Sequence, residues 1–167
     1  MEQVPDWALV MQSFGWENAG QITLAAILGG IIGIEREWRG RSAGFRTNIL
    51  IALGSCLFTI LSIEGFPLGD SNARDSARIA AQIVSGVGFL GAGALIQTRH
   101  RTKGMTTAAT IWLVAAIGMA VGTGAYFLAI FTTLLTAAVL QLLLPVSRLV
   151  EHERRVHKHD DDDDDFD

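Results

Sequence analysis

At 167 residues the chain has the length of one ordinary soluble domain, but half of it is apolar, its mean hydropathy is +0.35, 18 residues are glycine and only 18% are charged, against about 25% in soluble domains. The net charge is −4, yet seven of the 17 acidic residues, Asp160 to Asp165 and Asp167, crowd the last eight positions, so the acidic balance belongs to the tail and the rest of the chain carries +3. The single cysteine, Cys56, excludes an intrachain disulfide and a cysteine-cluster metal site.

Residues 1–18 are acidic at Glu2, Asp6 and Glu17 and carry Trp7, Leu9, Phe14 and Trp16 among polar groups. They are read as an interfacial segment on the outer surface, with an unstructured terminus as the alternative. No basic stretch opens the chain, so insertion is expected to be driven by the hydrophobic spans themselves rather than by a cleaved signal.

Five apolar stretches follow: Ala19–Ile34, Thr47–Ile63, Ile79–Ile96, Thr106–Val121 and Ala125–Leu144, none with an Asp, Glu, Lys or Arg. Their lengths approach the ~20 residues that cross a ~30 Å hydrocarbon core. Trp16 and Trp38 bracket the first, at roughly 33 Å for a helical rise of about 1.5 Å per residue, and tryptophan favours the headgroup level. The reading is an all-α, polytopic membrane protein of about five transmembrane helices over residues 19–146.

Eleven of the 13 basic residues fall on one side of this alternation: Arg36, Arg39, Arg41 and Arg46, then Arg99, Arg101 and Lys103, then Arg148, Arg154, Arg155 and Lys158. The positive-inside rule makes that side cytoplasmic, which predicts an outside N-terminus and a cytoplasmic C-terminus. Residues 147–167 are then a cytoplasmic basic segment with an acidic tail. His157 and His159 beside the Asp run could offer a weak divalent-cation contact, but a solvated acidic tail is the favoured reading.

Lipid gives helices no hydrophobic reason to associate, so small residues and buried polar groups must hold them together. Ala25, Gly29 and Gly33 form a stripe on the first span; Gly86, Gly88, Gly91 and Gly93 open the third; Gly118 and Gly122 repeat the spacing on the fourth. Spans one, three and four are expected to form the packed core, with span five facing lipid. Partners are expected to be the bilayer and either a second copy or another membrane complex. Gly44-Phe45-Arg46-Thr47 and Gly104-Met105-Thr106-Thr107 open spans two and four sixty residues apart, which hints at two duplicated hairpins.

Two polar groupings are candidates for function. Asp75, Arg78, Gln82 and Ser85 share one face of span three; they either line an outward-opening pocket or cap and brace the helix, the structural reading being favoured. Glu35, Arg36, Glu37, Arg46, Thr47 and Asn48 stand at the cytoplasmic mouth between spans one and two. No P-loop, zinc-protease motif or nucleophile elbow is present, so no catalytic residue, cofactor, resident metal or nucleic-acid partner is assigned. No carboxylate lies within a span, which argues against a dedicated cation path. A passive polar path along span three is the alternative.

The chain resembles the membrane domain of the MgtC/SapB family. The resemblance rests on Gly29-Gly30-x-x-Gly33-x-Glu35-Arg36-Glu37, Ala43-Gly44-x-Arg46-Thr47, Leu53-Gly54, the block Asp75-x-x-Arg78 through Gly93, and Gly104-Met105-Thr106-Thr107-Ala108-Ala109 with Trp112. It covers roughly residues 20–145. It implies a protein of the bacterial inner (plasma) membrane, linked to growth under Mg²⁺ limitation, survival inside host cells and restraint of the F-type ATP synthase. The family's soluble domain after the last span is expected to be lacking here, and Met105 stands where the family often has leucine.

Overall fold

The computed structural model describes residues 15–65, 76–98 and 101–142. They form helices α1 (Trp16–Trp38), α2 (Phe45–Glu64), α3 (Ser76–Gly93), α4 (Met105–Gly122) and α5 (Tyr126–Leu142). A two-stranded antiparallel hairpin, β1 (Ile96–Thr98) and β2 (Arg101–Lys103), separates α3 from α4. The expected interfacial segment (save its last four residues), Asp75 and the acidic tail lie outside the described residues. By its contacts the chain divides into two units, one ending at Thr133 and the other starting at Leu134; helices α1 to α4 and the start of α5 belong to the first.

The helical class is the one the sequence predicts. Helices α1, α2 and α4 are long and apolar enough to cross a membrane, whereas the apolar parts of α3 and α5, Ala80–Gly93 and Tyr126–Leu142, are shorter. Helix α1 outruns its apolar stretch at both ends and stops on the two tryptophans, which are 94% and 85% exposed. Its first turn holds Glu17 and its last Arg36, each with the sign that favours the helix dipole. The hairpin was not anticipated: the basic loop pairs Ile96 with Lys103 and Thr98 with Arg101. It hands over to α4 at Gly104, whose φ of +97° is a left-handed conformation that glycine adopts without steric cost.

Helix α2 is the centre of the packing. A Cβ on Gly29 would stand 2.7 Å from the Asn48 carbonyl oxygen, and one on Gly33 would stand 2.8 Å from Phe45 Cα, so α1 lies backbone to backbone against α2. Further along α2, Gly118 and Gly122 of α4 press against Ala52, Ser55, Cys56 and Thr59, and Ala52 is met by both neighbours. The expectation put span three in this core, and the structure differs. A Cβ on Gly86, Gly88 or Gly93 would meet nothing within 4 Å, and Gly91 makes only ordinary contact with Ala108 at 3.6 Å. Helix α3 instead leans on α4 by one apolar edge, Ile83 and Val87 against Ile111 and Ala115, with Ala43 completing the cluster.

Three buried threonines of the described helices satisfy their hydroxyls locally, as hydrocarbon surroundings demand. Thr59 donates to the Ser55 carbonyl at 2.7 Å, Thr110 to Thr106 at 2.7 Å and Thr133 to Ala129 at 2.8 Å. The two glycine-led helix starts are not alike: Gly44 is extended with φ −89°, while Gly104 is left-handed. The connectors differ as well, a wound turn before α2 and a β-hairpin before α4.

Candidate functional site

The α1–α2 junction gathers most of the charged motif read from the sequence. Glu35 and Arg36 have side chains only 8% and 3% exposed. The Glu35 carboxylate faces Arg36 Nη1 at 3.6 Å and pairs with Arg39 one turn along. Glu37 does something different: its Oε2 accepts the Phe45 amide at 2.8 Å. Gly44, the residue before α2, has no side chain to cap the helix, so α1 supplies the cap from outside. A Cβ on Gly44 would meet that carboxylate and push it aside, so a side chain there would disturb the cap.

Asn48 is fully buried, and its Nδ2 donates to the carbonyls of Ala43 at 2.9 Å and Gly44 at 2.8 Å. One side-chain amide therefore ties the connector to the first turn of α2. The Arg41 amide donates to the Arg36 carbonyl at 3.1 Å, and Gly40, at φ +62°, turns the chain between them. Arg46 and Thr47 are exposed, so the structure brings Glu35, Arg36, Glu37 and Asn48 together and leaves those two outside.

The second grouping does not close into one pocket among the described residues. Asp75 lies outside them, and Arg78, Gln82 and Ser85 are all exposed. What exists instead is a groove of about 1160 Å³ between α2 and α3, floored by Ile111 of α4. Gln82, Gly86 and Gly93 line it from α3, and Thr47, Gly54 and Ser55 from the α2 side. Neither Arg78 nor Ser85 contributes to it. Its walls are mostly apolar, with small residues at several points.

Sequence reasoning missed a polar set at the opposite end of the bundle. Asn18 donates to Glu64 Oε2 at 3.1 Å, joining α1 to the end of α2, and Gln21 donates to the Tyr126 hydroxyl at 3.2 Å, joining α1 to α5. A signal was available: Asn18 and Gln21 continue the stripe of Ala25, Leu28 and Ile32 at spacings of three and four, so polar residues stood on a packing face. The role of α2 had its signal too, in the small residues Ala52, Ser55, Cys56 and Thr59 at the same spacing.

The profile of the MgtC family matches residues 22–149 of the chain. YhiD of Escherichia coli (strain K12), whose name proposes magnesium transport, is 48% identical over 125 residues, covering 73% of this chain and 58% of that protein. Protein MgtC of Brucella abortus (strain 2308) is 43% identical over 129 residues, covering 77% and 52%. Protein MgtC of Salmonella typhimurium is 46% identical over 111 residues, covering 66% and 46%. The chain thus spans about half the length of the curated relatives it matches. No solved structure matches it.

Proposed function

We propose a function from one premise: the chain belongs to the MgtC family, and it is a helical membrane protein with, among the described residues, three helices long and apolar enough to cross a bilayer. On our reading it crosses the inner membrane of a bacterium five times, N-terminus outside, and works without catalysis. It modulates ion homeostasis or membrane energetics under Mg²⁺ limitation through helix–helix contact with a membrane partner or a second copy.

The observation that supports this reading is the α2–α3 groove. Small residues let helices approach in lipid, and Gly86 and Gly93 stand beside the groove with open space where a side chain would be. The test pairs two variants that α3 tolerates equally by its own surroundings. Gly86→Leu fills the groove; Gly88→Leu points away from its lining. In a bacterial strain lacking its own family member, growth at low Mg²⁺ should be lost with the first and kept with the second. Equal growth of the two rejects the reading. Labelling of a cysteine placed at Arg41 by an impermeant reagent from the inner side alone would support the orientation.

The second reading is passage of Mg²⁺ or another cation along α3. It draws on the name of YhiD and on Gln82, which stands exposed beside the groove. Mg²⁺ favours carboxylate oxygens, and among the described residues no three His, Cys, Asp or Glu side chains come together. Flux into proteoliposomes that falls with Gln82→Ala would favour this second reading over the first.

A further inference from the structure

The α1–α2 junction holds more positive charge than its carboxylates answer. Arg36, Arg39 and Arg41 stand close enough that the second and third both act on the first by repulsion. Against them stands Glu35, which meets Arg36 and Arg39; Glu37 is committed to the Phe45 amide. Arg41 is exposed and has no ion pair among the described residues.

Arg36 sharpens the imbalance. It is 3% exposed, and its Nε and Nη2 groups are buried without a hydrogen-bond acceptor. Both Glu35 oxygens are likewise buried without a hydrogen-bond donor, so the pair is loosely made, and a guanidinium held this loosely is costly unless further negative charge stands near it. The depth of the cluster says which anion is at hand. Trp38, two residues along, is 85% exposed, and an exposed tryptophan at the end of an apolar helix settles at the headgroup level. Lipid phosphates lie at that depth, and guanidinium matches phosphate geometry with paired N–H donors.

We propose that Arg39 and Arg41, backed by the charge of the buried Arg36, form a seat for the phosphate of an anionic phospholipid at the α1–α2 junction. The seat takes the headgroup of a lipid in the adjoining leaflet, and it ties the bend between the two most closely packed helices to the bilayer surface. Membrane composition thereby acts on the same junction that Glu37 and Asn48 hold shut. This is independent of the groove and of the function proposed from it.

Native mass spectrometry of the purified full chain, titrated with phosphatidylglycerol or phosphatidylcholine of the same acyl chains, tests it. Phosphatidylglycerol should be retained preferentially, and Arg41→Gln should weaken that retention about fivefold, from roughly 1 kcal/mol per basic residue at a membrane surface. Lys103→Gln, an equal loss of charge on the hairpin, should leave it unchanged. On the unmodified chain, 0.5 M salt should reduce the preference, and this needs no variant to fold. Equal retention of the two lipids, equal loss in the two variants, or indifference to salt overturns the proposal. Displacement of phosphatidylglycerol by 10 mM inorganic phosphate also overturns it, because the ligand would then be the free anion.

Discussion

Gly29→Ala is the most direct probe of how α1 meets α2. The added methyl group would stand 2.7 Å from both the Asn48 carbonyl oxygen and Ala52 Cβ. Ordinary contact begins near 3.4 Å for the first pair and further out for the second, so the helices must part by about 0.7 Å or more. Neither obstacle is a flexible side-chain end. A gap of that size forfeits about a quarter of the dispersion well for the atoms it separates. Leu28 and Ile32 flank Gly29 and are 5% and 0% exposed. A buried leucine makes 40–60 contacts of roughly 0.1–0.2 kcal/mol, so its share of the loss is about 1–3 kcal/mol, in line with the usual cost of overpacking. Equilibrium unfolding in mixed micelles, followed by far-UV circular dichroism, should show a destabilisation of that size. Gly86→Ala is the matched control, because nothing lies within 4 Å of its new Cβ. It should be neutral or slightly stabilising through helix propensity. If the two variants unfold alike, the backbone-to-backbone approach of α1 and α2 is wrong.

Glu35→Gln removes the carboxylate that answers Arg36 and Arg39 and strands a buried cation; a cost of about 3–5 kcal/mol is expected, with Arg36→Met added to Glu35→Gln recovering part of it in the same assay. Asn48→Ala frees the carbonyls of Ala43 and Gly44, and should lower stability by about 1–3 kcal/mol, whereas Thr47→Ala, at an exposed position, should stay within about 0.5 kcal/mol. Cys56 is fully buried, so a membrane-permeant maleimide should label it only after unfolding in strong detergent; rapid labelling of the folded protein would contradict the α2–α4 packing. Tyr126→Phe leaves Gln21 Nε2 without its acceptor, and the expected loss is about 1–2 kcal/mol, read as a lower thermal midpoint.

Much of this molecule is legible one helix at a time. Charge-free apolar runs locate the helices because a buried charge in lipid is expensive, and the two tryptophans of α1 mark its ends to the residue. The stripes Gly29–Gly33 and Gly118–Gly122 are visible as close-approach surfaces from their four-residue spacing alone. Spacing, however, names a face and not its partner. Nothing local says that both stripes converge on α2, whose own small residues are less conspicuous than the glycines of α3.

The fate of α3 shows why. Gly86, Gly88 and Gly93 make as good a packing surface on paper as Gly29 and Gly33, yet they are left open, because α3 spends its apolar edge on Ile111 and Ala115. The burial of Arg36 is likewise a tertiary result: its position seven residues after Gly29 puts it on the packing face, but only the packing of α1 against its neighbours leaves it 3% exposed. Helical identity and membrane class follow from composition and period, which act within one segment. Which helix is central, which face stays open and which arginine is buried depend on contacts between residues far apart in the chain, and only the assembled helices decide those.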